Sequence, residues 1–339
     1  MLKLSYIIPA YNASAFIRQA LDSIFALPLS ENEYEVIVID DCSTDDTLSI
    51  IEMYASKHTN VIVLHQECNL RQGAARNKGI ELAKGEYIAF CDADDVIVAE
   101  GVMNALKAVS ETKVDICYFD FEYEQPKDEW HLLEMPKETS NTILRSDEYL
   151  ENYYTCWYNG VCRNLYRREF LLSTGICFVE GVRWEDCDWT AKVYAKAKQI
   201  QFVGGVGYRY KQNRDNTCSI AQSPEGMAEQ LYAGLRLLQF SDTIHETLPS
   251  LYKTLREEAR FRYVVGVLRL RNISKYSYTA LQKMYALLGD KHRKDLSKYQ
   301  FTRWVNFCLH YEKMSLCMLS VISLSARVGR SIVKGIRKL

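Results

Sequence analysis

Five short apolar runs alternate with four segments of helical period in the first 121 residues, and this alternation constrains the fold more than any other feature. The runs are Leu4–Ile8, Glu35–Asp41, Val61–His65, Tyr87–Cys91 and Asp115–Phe121. Their length and their content of Val, Ile, Tyr and Phe predict strands. Between them, residues 15–26, 47–57, 73–83 and 100–109 have the length and periodicity of helices. Such alternation predicts an α/β fold with a mainly parallel sheet and helices on both faces. Pro9 is expected to stop the first strand and Asn12 or Ser14 to cap the first helix. The dense N-cap residues of 43–47 are expected to open the second helix.

In open sheets of this kind ligands sit beyond the carboxyl ends of the strands. Two of those ends are acidic: Asp40 and Asp41 close the second strand, and Asp92, Asp94 and Asp95 follow the fourth. Carboxylates gathered at one edge repel one another unless a cation or a donor neutralises them. An oxygen-only donor set favours Mg2+ or Mn2+, which bridge one or two carboxylates to substrate phosphates. An acidic turn capping the next helix explains one such pair easily and two poorly, so the pattern predicts a metal–diphosphate site. Asp95, the closest to the next helix, reads as its cap.

Global composition narrows the rest. With 42 basic and 43 acidic residues, charge offers no argument for nucleic acid. None of the eleven cysteines is spaced as C-x-x-C, which predicts reduced, buried thiols and not a disulfide framework or a zinc site. The chain begins directly in a strand with no signal-peptide pattern. Its longest apolar stretch, Leu316–Leu324, falls short of the ~20 residues that span a bilayer. A cytoplasmic location is expected.

Farther along, residues 122–148 turn polar, with Pro126 and Pro136, and predict an irregular surface excursion. A helix is expected over Ser146–Tyr154, another through Ala197, a last strand over Gln201–Tyr210, and helix beyond about 224. Trp157 and Tyr158, in an aromatic block, fit either stacking on a sugar or core packing. Arg209, Lys211 and Arg214 fit a loop that closes on a diphosphate, or a solvated one. In 313–339, Arg327, Arg330, Lys334, Arg337 and Lys338 share one helical arc opposite Val328, Ile332, Ile336 and Leu339. Such a helix lies on an anionic membrane surface or packs on the domain with a solvated basic face.

Taken in order, Ser5–Asn12, Val38–Asp46, Asn69–Asn77 with Gly79, Gly85–Asp95 and Trp184–Asp186 form a pattern that resembles the family 2 glycosyltransferases of the GT-A fold. The resemblance covers about residues 1–215 and leaves 216–339 as a C-terminal helical region with a basic amphipathic tail. It implies inverting transfer of a sugar from a nucleoside-diphosphate sugar, most often a uridine diphosphate sugar, with Mn2+ or Mg2+. The acceptor it implies is a hydroxyl of a saccharide or lipid-linked molecule in cell-surface polysaccharide or glycolipid synthesis, which would suit peripheral contact with the inner face of the membrane. By position, Pro9 and Tyr11 would line the nucleoside pocket with Asn12 beside them, and Asp41 would accept from the uracil ring. Asn69, Gly73 and Arg76 would belong to the stretch that closes over base and ribose. Asp92 and Asp94 match the D-x-D motif, Asp94 as the more direct metal ligand and Asp92 nearer the ribose. Cys42 departs from the pattern, standing where a glycine is usual, and so does the lead-in Ser30–Glu33.

Inversion requires a carboxylate within hydrogen-bond reach of the attacking hydroxyl, on the face opposite the diphosphate. Asp186 matches the family's base, with Glu185 the alternative. Without the resemblance, Glu185, Asp186 and Asp188 read equally as acids favoured at a helix N-terminus. Two other functions compete. A nucleotidyltransferase would carry a glycine-rich basic loop after strand one, which Pro9–Asn12 is not. A non-catalytic partner subunit would not need Asp92, Asp94 and Asp186 intact.

Overall fold

The computed structural model describes residues 2–125, 129–133, 141–154, 160–211 and 224–259. Within them β1 (Leu4–Ala10), β2 (Tyr34–Asp40), β3 (Val61–His65) and β4 (Tyr87–Phe90) lie in the order β3-β2-β1-β4, all parallel. β1 and β2 are buried along their whole length, which is why both read as unbroken apolar runs and not as alternation. The chain moves from β1 to β2 and β3 on one side, then returns to place β4 on the other. The crevice between β1 and β4 is therefore the switch point at which such sheets take ligands.

β5 (Val96–Ile97), β6 (Ile116–Gln125), β7 (Glu129–Leu133), β8 (Ile143–Arg145), β9 (Asn164–Arg167) and β10 (Gln199–Tyr210) complete the sheet. β6 and β10 form a second long parallel ladder. Short β9 runs antiparallel between β4 and β6 and joins the two parallel parts. The α/β class and mainly parallel sheet expected from the sequence are the observed ones. Two details differ. The polar stretch 122–148 is not wholly irregular, because β6 continues to Gln125 and pairs with β7, while β8 pairs with β10. Pro9 does not stop β1, which pairs with β2 as far as Ala10. β4 pairs with β1 only as far as Ile7, and Ile7 accepts from Cys91 on that side. Pro9, two residues on, turns its missing N–H to the side where the ladder has already ended, so no bond is lost.

The helices are α1 (Ile17–Phe25), α2 (Thr47–Ala55), α3 (Arg71–Leu82), α4 (Ala99–Thr112), α5 (Ser146–Asn152), α6 (Arg168–Thr174), α7 (Asp186–Lys196) and α8 (Pro224–Ile244). α1 buries Ile17, Ala20, Leu21 and Ile24, the i, i+3, i+4, i+7 stripe of an amphipathic helix. α3 is built from small residues for a different reason. A Cβ on Gly79 would stand 2.2 Å from Ile7 Cγ2, so the helix lies directly on β1. Trp189 of α7 is buried, stacks on Phe178 at 4.1 Å between ring centroids, and takes the edge of Phe90. Met1–Asn216 and Phe240–Arg256 make one compact unit, and the described residues of a second are 224–239 and 257–259. Among the described residues no helix is long and apolar enough to cross a membrane.

Candidate active site

The loops after β1 and β2 are bound to each other. Asn12 does not cap α1; its Oδ1 accepts from the Thr44 N–H at 2.8 Å, and its own N–H donates to Ser43 Oγ at 3.0 Å. Ser14 does not cap α1 either, and its N–H reaches Asp45 Oδ2 at 3.1 Å. Asp41 is 2% exposed, and its carboxylate accepts from the N–H groups of Leu70 and Arg71 at 2.7 Å each and from Gln66 Nε2 at 2.6 Å. It thereby caps α3 from a distant strand, where the helix's own N-cap residue makes no such bond. Burial raises the Asp41 carboxyl above its ordinary range, against the pull of those backbone donors. Three donors leave one lone-pair direction of the carboxylate for a ligand. Pro9 is buried at the end of β1, while Tyr11, 49% exposed, and Asn69 face outward beside this loop pair.

Across the crevice, Asp92 and Asp94 are partly exposed beyond β4. Asp95 is 1% exposed and does not cap α4, whose N-cap is Val98. It accepts instead from the Tyr208 hydroxyl and, at 2.8 Å, from the Lys211 N–H, so it ties the end of β10 under the acidic turn. Burial, then the charges of Asp92 and Asp94, push its carboxyl well above the ordinary range. Arg209 pairs with Glu122 at 2.6 Å and Lys211 Nζ reaches Gln19 at 2.5 Å, contacts to the sheet and to α1. Trp157, Tyr158, Arg214 and the tail 313–339 lie outside the described residues.

Arg76 joins this acidic turn to α7. Its side chain is 2% exposed, Nη2 donates to Asp92 Oδ1 at 2.6 Å, and Nη1 donates to Glu185 Oε1. Phe178 lies under the guanidinium at 5.5 Å. Burial works against the charge, but Asp92 and Glu185 outweigh it and hold Arg76 firmly protonated. Glu185 is as deeply buried, and burial raises its carboxyl while Arg76 opposes that rise. Arg76 and Glu185 are thus engaged with each other, and both side chains are nearly closed to solvent. Asp186, partly exposed, heads α7, and Cys187 Sγ donates to its Oδ1 at 3.7 Å.

The stretch before α7 is seated on α3 mainly through backbone groups, with Glu180 Oε1 also accepting from Asn77 at 3.1 Å. Asn77 donates to the Phe178 carbonyl at 3.0 Å and accepts from the Phe178 N–H at 2.8 Å. Gly181 N–H reaches the Leu70 carbonyl at 3.0 Å. A Cβ on Gly73 would lie 2.4 Å from the Val179 carbonyl oxygen, so Gly73 marks a close approach of α3 to this segment. Asn77 belongs to the quoted motif 69–77, yet its role is invisible until 178 is placed beside it.

Backbone strain gathers here as well. Of the six non-glycine residues with positive φ among the described residues, Asn12, Cys42 and Trp184 stand in loops around this crevice and Arg71 opens α3. Such residues cluster where surrounding structure over-determines them, commonly at functional sites. Cys42 at φ 64° explains why a glycine suits that position. The thiols divide: Cys91, Cys117 and Cys162 are buried, but Cys68 and Cys177 are exposed, so the expectation of buried thiols holds for only part of them.

The donor set fits a hard cation that brings further ligands of its own. Asp92 and Asp94 offer oxygen only, both are partly exposed, and Arg76 engages just one oxygen of Asp92. Among the described residues no group of three or more His, Cys, Asp and Glu is placed to hold a metal unaided.

The family described as Glycosyl transferase family 2 matches residues 5–173, which include β1, the Asp41 loop, α3 and the Asp92–Asp95 turn. The chain belongs to glycosyltransferase family 2. The glycosyltransferase YibD of Escherichia coli is 30% identical over 212 residues, 61% of this chain and 61% of that protein. TarS of Staphylococcus aureus, a poly(ribitol-phosphate) beta-N-acetylglucosaminyltransferase, is 32% identical over 235 residues, 68% of this chain and 39% of TarS. The chain therefore matches less than two thirds of the length of these relatives. The crystal structure of TarS residues 1–349 with UDP-GlcNAc superposes with a TM-score of 0.61 at 23% identity, covering 91% of this chain and 92% of that one. At that identity the likeness establishes the fold, the GT-A fold of this glycosyltransferase family.

Proposed function

We propose that this glycosyltransferase transfers a hexosyl or N-acetylhexosaminyl group, with inversion, from a nucleoside-diphosphate sugar to a hydroxyl in cell-surface polymer or glycolipid synthesis. The donor we favour is a UDP-sugar, as in the TarS complex. One observation carries the reading: Arg76 holds the leaving-group carboxylate Asp92 and the residue preceding Asp186 on a single guanidinium, so both halves of a displacement share one wall.

The nucleoside would lie between Tyr11 and the loop that Asp41 fixes, with Asp41's remaining lone pair toward the base. Asp94 and the Asp92 oxygen not used by Arg76 would hold Mn2+ or Mg2+. Bound there, the cation stabilises charge on the departing diphosphate as a Lewis acid. Asp186 would take the proton of the acceptor hydroxyl from the opposite face. Glu185 is a poor candidate for that task, because its carboxylate is buried and committed to Arg76. The acceptor would be a saccharide or a lipid-linked molecule, with contact to the inner face of the membrane through 313–339.

A panel of nucleotide sugars with Mn2+ tests this. A UDP-sugar should release UDP, and Asp186→Asn should lower that turnover by ~10²–10⁴-fold, the range for general-base loss. Turnover unchanged in Asp186→Asn would remove Asp186 as base. Absence of any nucleotide-sugar binding would favour a non-catalytic partner subunit. Liposome flotation with and without 313–339 tests the membrane contact, and equal flotation would sink it.

A further inference from the structure

We infer that Arg76 and Glu185 are positioning residues for the transfer, a buried ion pair that sets the base-bearing end of α7 against the diphosphate-side carboxylate. The inference rests on the transferase reading.

Three observations carry it. Arg76 divides its fork: Nη2 serves Asp92 and Nη1 serves Glu185, so one rigid plane fixes two elements more than ninety residues apart in sequence. A planar guanidinium does this where an ammonium cannot, because its donors leave in fixed directions. Second, the pair is sealed. Both side chains are nearly inaccessible, and the Phe178 ring closes the guanidinium on one side. Movement of α7 therefore has to break a desolvated pair. Third, the residues beside Arg76 serve the same contact, with Gly73 against Val179 and Asn77 against Phe178.

The charge arithmetic makes the role testable. Asp92, Glu185 and Asp186 place three carboxylates around one buried cation, with Asp94 two residues beyond Asp92. Removing the guanidinium leaves those acids less neutralised, which favours a divalent cation at Asp92 and Asp94. It also frees α7 from its register, and a misplacement of about 1 Å at a reacting group costs roughly 10²-fold in rate. Cation affinity and turnover should move in opposite directions, whereas simple unfolding lowers both.

Arg76→Lys, Arg76→Met, Glu185→Gln and the double variant Arg76→Met/Glu185→Met in the full chain test this. Mn2+-dependent UDP binding is read by calorimetry, and kcat and KM by UDP release. Arg76→Met should bind UDP with Mn2+ at least as tightly as wild type, and Arg76→Lys, which keeps the charge, about as tightly, while kcat falls ~10²-fold in both. Glu185→Gln keeps an oxygen for Arg76 Nη1, so its kcat should fall by less than about 10-fold. The double variant, which leaves no buried charge unpaired, should fold and still show the kcat loss. Wild-type kcat in Arg76→Lys or in the double variant overturns the inference. So does a fall in kcat matched by an equal fall in UDP affinity. Wild-type protein that binds no UDP overturns the transferase reading, and the inference with it.

Discussion

Gly73→Ala should separate stability from catalysis. The added Cβ would meet the Val179 carbonyl oxygen at 2.4 Å, and its carbonyl carbon at 3.2 Å. Ordinary contact begins near 3.4 Å, so α3 and the 178–181 segment must part by about 1 Å. Both sides of the contact are backbone, so no flexible side-chain end can swing away. Overpacking of this kind costs about 1–3 kcal/mol. Alanine returns up to ~1 kcal/mol through helix propensity. The net loss of stability should be about 0–3 kcal/mol, a shift of a few degrees in Tm for a domain of this size. Activity should respond far more, because the displaced segment leads to Glu185 on Arg76 and to Asp186, the base of the proposed mechanism. A shift of about 1 Å there corresponds to roughly 10²-fold in kcat. Thermal melts and UDP release from a nucleotide sugar, run on the same preparation, read the two effects together. Turnover within about three-fold of wild type would refute the argument that this contact sets the base.

Other substitutions probe the supports of the crevice. Cys42→Gly removes a left-handed conformation at φ 64° that costs an L-residue ~1–2 kcal/mol, against ~0.5–1 kcal/mol of added chain entropy, so the denaturant midpoint should rise slightly. A fall in the midpoint would show that the Cys42 contact with the Glu67 carbonyl outweighs the strain. Asn77→Ala deletes both bonds to the Phe178 backbone and should cost ~1–3 kcal/mol, read by denaturant melts, with faster proteolysis near 176–185. Asp45 tests acid stability: burial pushes its carboxyl up, but Thr47 and Ser14 donors outweigh that and hold it at about 2. Its folded value lies below the unfolded one, so its contribution is present above about pH 4 and is lost as pH falls toward 2. Asp45→Asn should therefore narrow its stability difference from wild type across that window, and a difference constant with pH would refute the assignment.

The sequence exposes what is local and hides what is tertiary. β1, β2 and β4 were legible because each is buried on both faces and reads as an apolar run. The Asp92–Asp95 turn was legible as an acidic cluster, but not the fate of its members. Asp95 reads as a helix cap by its position, yet Tyr208 and Lys211, more than a hundred residues later, claim it. Pro9 reads as a strand stop, yet the early end of β4 removes the bond that its missing N–H would have broken. Short β9 was missed because it is four residues long and its burial comes from the strands it joins. Arg76 gave no sign of its partners, since nothing in the run around it points to Glu185.

α3 explains why the two chemical halves cannot be tuned separately. Gly73, Arg76 and Asn77 stand at i, i+3 and i+4, one face of the helix, and that face meets Val179, Glu185, Asp92 and Phe178. Gly79 lies on another face and meets Ile7 of β1. Both faces are therefore buried, but the one that organises the site carries a single large apolar residue, Ile80, beside Gly73, Arg76 and Asn77, so hydrophobic periodicity passes over it. The N-terminus of the same helix is capped by Asp41 from the loop after β2. In the mechanism proposed above, a change on the 73–76–77 face should then alter cation binding and the placement of Asp186 together. A change at Asp41 or Cys42 should act first on the loops after β1 and β2, and reach Asp186 only by tilting α3.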